Sequence, residues 1–369
     1  VNINTNQESR TEKRKKRHLE ICTNPSRYTV EKRHIPAEDN SPFSGIRFIH
    51  RAFPEISTGE VDTAADFLGY RISMPLLISC MTGGSDPSGS INKELALAAD
   101  AAGIPVGMGS IRILFEKPER AEDFRLKEYA PHVPVIANIG AVQVRDLASG
   151  RLIETVQRLN ADALAIHLNP GQELFQEEGD RDFRRLLSSV TDFADTADFP
   201  VIVKETGFGI DPRTIERLLE SNIAYVDLAG SGGTNWAVVE YYRDPDLFSG
   251  GASDFSDWGI PTDLLLASLS ETGRIIASGG IHNGMSFAKA LALGAPAAGC
   301  ALPFARAAAE GGRSAVTALI ERFRKTLQTV MMLTGARVPR DLSRPGSFYL
   351  RPGFRAEVEA FTQAAACTY

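Results

Sequence analysis

The chain has 369 residues, a formal net charge of −6 and 43% hydrophobic residues. That length suits one large α/β domain or two average ones, and the mild acidity gives the chain as a whole no case for nucleic-acid binding. Its four cysteines, Cys22, Cys80, Cys300 and Cys367, lack C-x-x-C spacing, which argues against a zinc site or disulfide framework and for buried thiols in a reduced, cytoplasmic chain.

The strongly polar start predicts no secretory signal peptide. Roughly the first 20 residues are rich in Asn, Glu, Lys and Arg and are expected to be mobile without a ligand. Within them "KRKKRH", Lys13 to His18, reads either as a solvated arm or as a flexible cap for an anion.

From residue 74 a rhythm begins. Eight short apolar runs follow: "MPLLISCMTGG", "IPVGMGS", "VPVIANIG", "ALAIHLN", "FPVIVKETG", "AYVDLAG", "RIIASGG" and "AAGCALP". Most are bounded by Gly or Pro and carry few charges, as strands buried on both faces do. Amphipathic segments lie between them. "INKELALAADAAG" places Leu95, Leu97 and Ala98 on one face and stops at Gly103. "GRLIETVQRLN" spaces Ile153, Val156 and Leu159 helically, "DPRTIERLLESN" opens on a helix-start signal, and "HNGMSFAKALALGA" ends at Gly294. The repeat length is that of a β-loop-α unit. Eight units predict an α/β fold, a TIM (β/α)8 barrel over residues 71–369, with an N-terminal extension over 1–70 and a long loop after the sixth strand. An open doubly wound sheet is the alternative. The longest apolar stretch, "FAKALALGAPAAGCALPFARAA", is interrupted by Lys289, Gly294 and Pro296, so no membrane span is predicted.

In such a barrel, chemistry belongs at the C-terminal ends of the strands. The unusual polar residues fall there: Met81-Thr82-Gly83-Gly84, Ser110 and Arg112, Asn138, His167 and Asn169, Lys204-Glu205, the "GSGGT" ending at Thr234, and Ser278-Gly279-Gly280. "SGGIHNG" and "GCALP" suit a phosphate, because glycines admit a ligand close to the backbone and a helix N-terminus offers free N–H groups. Lys204 reads as a Schiff-base former, as a balance for a ligand anion, or as a salt-bridge partner of Glu205 or another barrel carboxylate. "HLNPGQELFQEEGDRDF" crowds polar groups around a Pro-Gly bend. Glu173, Glu177, Glu178 and Asp180 offer hard oxygen ligands without a fixed spacing, and Mg²⁺ needs only one or two carboxylates beside substrate phosphates. Gln172 is no general base, but it can orient a substrate. A His in the position of His167 is more often a packing residue than a catalyst.

Taken together, "RKKRH", "DFLG", "MTGG", "GMGSIR", "ANIGAVQ", "HLNPGQE", "EEGDRDF", "VKETGFG", "DLAGSGGTNW", "DWGIPT" and "ASGGI" resemble, in this order and over nearly the whole chain, the type 2 isopentenyl diphosphate isomerase family. The resemblance implies conversion of isopentenyl diphosphate to dimethylallyl diphosphate with FMN, kept reduced by NAD(P)H, and Mg²⁺, the flavin serving as acid and base. It implies that Met81, Thr82, Ser110, Asn138, Lys204 and Thr234 surround the flavin and that Gly279, Gly280, Ala301 and Leu302 hold its phosphate. Arg14, Lys15, His18, Ser110, Arg112, His167 and Asn169 would bind the diphosphate. Gln172 would sit at the alkene, with His167 the second catalytic candidate, and Glu173 would ligate Mg²⁺. A homo-oligomer, tetramer or octamer, is implied too. Members usually carry a larger apolar residue where Gly171 stands, and Arg and Asp near His282 and Met285. Gly171 is therefore expected to enlarge the pocket beside the alkene. The competing readings are an FMN-dependent 2-hydroxyacid oxidase, which would need a His followed by an Arg pair late in the barrel, and a flavin-binding barrel without turnover.

Overall fold

The computed structural model describes residues 10–31, 42–81, 86–244 and 254–366. All eight apolar runs form short parallel strands: β1 (Leu76–Ile78), β2 (Val106–Gly107), β3 (Val135–Gly140), β4 (Ala163–Leu168), β5 (Val201–Glu205), β6 (Tyr225–Asp227), β7 (Ile275–Ser278) and β8 (Ala297–Cys300). Each pairs with its neighbour in sequence, and β8 returns to pair with β1, closing a (β/α)8 barrel. Burial on both faces explains why these strands tolerate almost no charge. Lys204, Glu205 and Asp227 are the exceptions, and all three stand at strand ends.

The surrounding helices begin and end where local chemistry dictates. Asp211 caps the helix Pro212–Leu219, its carboxylate accepting from the Thr214 N–H at 3.0 Å. Asn283 caps Gly284–Ala292 in the same way. Leu152, Val156 and Leu159 are the buried face of Ser149–Arg158 and its cap, so the apolar stripe leads with Leu152, while Ile153 is only half-buried. A hairpin, Ala65–Phe67 with Tyr70–Ile72, plugs the N-terminal end of the barrel: Phe67 and Ile72 pack with Leu77, Ile136, Ile202 and Ile276. Among the described residues no helix is long and apolar enough to cross a membrane.

The other end is the open mouth. The long connection after β6 carries a helix of its own, Trp236–Arg243. The basic run is not an extended arm: Arg10–Thr23 is a helix laid over the mouth. Its composition conceals an apolar strip. Leu19, Ile21 and Cys22 are buried, and the latter two cluster with Tyr28, Val30, Val239 and Leu302.

Candidate active site at the barrel mouth

The site is built from strand ends upward. At the floor, β4 and β5 set His167 beside Lys204 in register, and β6 sets Asp227 beside Lys204. His167 Nδ1 lies 3.0 Å from Asn138 Oδ1, an acceptor, so Nδ1 carries the proton and Nε2 the lone pair. Burial, then the charges of Lys204, Lys15, Arg112 and Arg14, push the His167 imidazole down to about 3, so it is neutral. Lys204 Nζ donates to the Glu205 carbonyl at 2.5 Å. The Glu205 carboxylate is turned away from it and accepts the backbone N–H groups of Thr206, Gly207 and Phe208, each at 2.6 Å. The salt bridge to Glu205 that the sequence allowed is thus replaced by a capped turn. Burial pushes the Glu205 carboxyl up to about 7 against those donors. Asp227, also buried, accepts from Ser278 Oγ.

One wall is a backbone cradle. Gly279 and Gly280 have φ of +89° and +77°, and a Cβ on Gly279 would stand 2.0 Å from the Gly230 carbonyl oxygen. Only glycine fits there. Beside it the helix Leu302–Thr334 begins at Ala301 without any side-chain cap, and Ala301, Leu302 and Pro303 line the cavity. A helix start with unsatisfied N–H groups next to a glycine loop suits a phosphate.

The roof is the N-terminal helix, and it is dense in cations. Lys15 Nζ donates to the Ser110 carbonyl at 2.9 Å and lies 5.7 Å from the Phe124 ring centroid. Burial first, then Arg14, hold the Lys15 ammonium down at about 7. Arg14 reaches Gln176 Oε1 at 3.1 Å and Glu178 at 3.7 Å. Arg112 is flanked at 3.9 Å by Asp180 and at 4.0 Å by Glu116. His18 Nε2 lies 2.9 Å from Glu240 Oε1, and the ring packs edge-on to Trp236.

Between floor and roof lies Pro170–Glu173, a single helical turn with Pro at its start. Gln172 and Glu173 leave it in different directions. Gln172 Nε2 donates to Glu240 Oε1 at 2.9 Å. Glu173 is buried; its Oε1 accepts from Asn169 Nδ2 at 2.7 Å and its Oε2 from the Asp180 N–H at 2.9 Å. Gly171 does not open the pocket, contrary to the expectation from sequence. A Cβ there would stand 2.5 Å from the Phe208 ring, outside the cavity lining.

Every residue to which the family resemblance gave a role lines this one cavity except Thr82, which lies outside the described residues; Glu177, Glu178, Asp180 and Glu205 are not part of its lining. Thus Met81, Ser110, Arg112, Asn138, His167, Asn169, Gln172, Glu173, Lys204, Thr234, Gly279, Gly280, Ala301 and Leu302 meet Arg14, Lys15 and His18. Among the described residues no group of three or more His, Cys, Asp or Glu side chains is placed to hold a metal. Sequence reading missed Glu240. It is fully buried and accepts from Gln172, Gln176 (2.8 Å) and Arg243 (2.6 Å), besides pairing with His18. Burial raises this carboxyl, but His18, Gln172 and Arg243 outweigh it and hold it below its ordinary value. A lone Glu inside "WAVVEYYR" was the available signal. The three cysteines described, Cys22, Cys80 and Cys300, are free thiols.

The fold and this mouth are those of a (β/α)8-barrel enzyme, and the sequence profile of the FMN-dependent dehydrogenase family matches residues 261–346. A flavocytochrome b2 variant with pyruvate bound shares the fold at a TM-score of 0.68 and 18% identity, over 92% of this chain and 84% of that one. A mandelate oxidase variant with a monooxide FMN adduct does so at 0.58 and 17%, over 83% and 88%. Identities this low establish the fold alone. The isopentenyl-diphosphate delta-isomerase of Borreliella afzelii is 40% identical over 95% of this chain and 96% of its own length, and that of Pyrococcus horikoshii 38% over 90% of each. The chain belongs to the isopentenyl-diphosphate delta-isomerase family and is an isomerase.

Proposed function

We propose that this isomerase converts isopentenyl diphosphate to dimethylallyl diphosphate with bound FMN, kept reduced by NAD(P)H, and Mg²⁺. The observation that carries this reading is one cavity with two anion-binding ends. The glycine cradle and uncapped helix at Gly279, Gly280, Ala301 and Leu302 suit a cofactor phosphate. Arg14, Lys15 and His18 of the roof and Arg112 of the turn after β2 line the cavity with His167 and Asn169 and suit a diphosphate. A substrate with two phosphates and no ring system explains why so many cations are gathered where burial disfavours them.

Met81, Thr82, Ser110, Asn138, Lys204 and Thr234 are placed in this reading around the flavin ring. When bound, FMN supplies a flat, electron-rich surface and acid–base chemistry over the reacting alkene. Glu173 is the Mg²⁺ residue: it is the carboxylate on the cavity wall nearest Asn169, and one carboxylate completed by substrate phosphates and water is ordinary for this ion. Moving the double bond needs a proton added at one carbon and another removed two carbons away. Gln172, aimed by Glu240, positions the alkene for both transfers, and the helix roof excludes water from a cationic reaction centre. The purified protein should be yellow and bind one FMN per chain. A colourless preparation that takes up no flavin on addition of FMN contradicts the cofactor half of this reading.

Lys15→Ala and Arg14→Ala should raise KM while flavin content stays unchanged, because both side chains lie on the roof. Losing one charge-assisted bond costs about 1.5–3 kcal/mol, a loss of about tenfold to a hundredfold in kcat/KM. The Lys15 ammonium, held at about 7 in the free protein, regains basicity beside a diphosphate, so substrate binding should take up a proton above neutral pH and weaken as the pH rises. Calorimetry in buffers of different ionisation enthalpy measures that proton. Wild-type kinetics in both variants would leave the basic helix without a role in substrate binding.

A further inference from the structure

His282, Glu31 and Arg306 form a charged cluster that the proposed chemistry does not use. His282 follows the glycine cradle and lines the cavity. Its Nδ1 lies 3.3 Å from Glu31 Oε1, and its Nε2 lies 2.9 Å from the Gly232 carbonyl oxygen. Both neighbours are acceptors. A neutral imidazole has one N–H and can serve only one of them; the imidazolium serves both. The other Glu31 oxygen takes Arg306 at 2.7 Å, and Arg306 also donates to the Cys22 carbonyl at 3.1 Å. Glu31 lies in the segment that trails from the N-terminal helix. That segment is stitched to the loop after β6 by the Asn235 N–H donating to the Val30 carbonyl at 2.8 Å and by a bridge between Glu31 and Thr234.

We propose that His282 is a positioning residue: as an imidazolium it clasps Glu31 and the Gly232 carbonyl, fastening residues 24–31, and with them the helix that carries Arg14, Lys15 and His18, onto the phosphate cradle. Docking of the helix and retention of the cofactor then share one protonation state. Only the cofactor half rests on reading the Gly279–Gly280 cradle as the FMN phosphate site.

The direction with pH follows from the surroundings. Burial lowers the His282 imidazole, but Glu31 and the Gly232 carbonyl outweigh it and raise it above its ordinary value. Burial raises Glu31, but His282 and Arg306 bring it down to about 2. The clasp is therefore fully present below the ordinary histidine value, while Glu31 stays ionised, and is lost as the pH rises through the raised histidine value. Among the described residues the charged groups facing His282 are Glu31 and Arg306. The buried thiols of Cys22 and Cys300 face Glu31 and are pushed well up, Cys22 to about 12, so they stay neutral. Lys15 titrates near 7, but against Ser110 and Phe124.

The test uses the full-length, FMN-loaded protein from about pH 6.5 to about 9.5, where the flavin phosphate, with a second pKa of about 6, is largely doubly ionised. Hydrogen exchange over residues 24–31, corrected for intrinsic rates, and FMN affinity by flavin fluorescence are followed together. In the wild type, protection of residues 24–31 from exchange and FMN affinity should both fall about tenfold in one step as one charge-assisted bond is lost. His282→Arg, a cation that does not titrate in this range, should remove the step, and His282→Gln should sit on the low plateau throughout. A wild type without a step, the same step in His282→Arg, or a step in FMN affinity with unchanged exchange overturns the clasp. Should His282→Gln not fold, His282→Arg decides. Should the protein take up no FMN, the cofactor assignment fails, and exchange over 24–31 in the wild type and His282→Arg still decides the clasp.

Discussion

Replacing Glu240 with Gln should lower kcat by about a hundredfold or more while flavin content stays close to wild type. Glu240 is fully buried and is the common acceptor for Gln172, Gln176 and Arg243 and the partner of His18. A carboxylate accepts from the first three and lies 2.9 Å from His18 Nε2. An amide of the same shape has one acceptor oxygen and turns an NH₂ toward groups that are themselves donors. At least two charge-assisted bonds are lost, at about 1.5–3 kcal/mol each, and the sum sets the expected range at about 10²- to 10⁴-fold. The loss falls on kcat because Glu240→Gln frees Gln172, which the proposed function sets beside the reacting alkene. Glu240→Leu is the less informative variant: Arg243 keeps Glu178 at 3.0 Å, but Gln172 and Gln176 are left facing an apolar side chain, which mixes lost stability with catalysis. Steady-state kinetics beside flavin content measures the effect, and wild-type kcat in Glu240→Gln would show that the network does not organise Gln172.

Gln172→Leu and Glu173→Gln should separate two functions carried by adjacent residues. Neighbouring side chains on a helical turn point about 100° apart, and here one faces Glu240 while the other faces Asn169 and Asp180. Gln172→Leu should reduce kcat and leave the Mg²⁺ requirement unchanged, since in the proposed function it removes a contact to the alkene. Glu173→Gln should raise the Mg²⁺ concentration needed for half-maximal rate, about tenfold or more for loss of a charged ligand, and should weaken substrate binding. Titration of rate against Mg²⁺ in both variants tests the split. An unchanged curve in Glu173→Gln would remove the metal from that residue.

The barrel was legible because each strand is a run buried on both faces, and such runs are visible without any partner. The mouth was legible for the same reason: a polar residue that ends an apolar run, such as Asn138, His167 or Lys204, stands out against it. What escaped depends on contacts between distant segments. Glu240 belongs to a helix inside the long connection after β6, and nothing local announces that its partners come from the N-terminal helix and from Pro170–Glu173. The N-terminal helix was hidden by its own charges, since Ile21 and Cys22 become a buried strip only once Val239 and Leu302 are brought against them. Gly171 misled because a missing side chain suggests space. That space is filled by Phe208, from the loop after the next strand.

The central claim is that this cavity moves a double bond within a five-carbon diphosphate. Incubation of the reduced, Mg²⁺-supplied protein with isopentenyl diphosphate in D₂O, followed by NMR of the product, tests it most directly. The account predicts dimethylallyl diphosphate with deuterium in the newly formed methyl group, and loss of that product when Gln172 is replaced by Leu. Unchanged substrate, recovered without deuterium from protein whose FMN is bound and reduced, would contradict it.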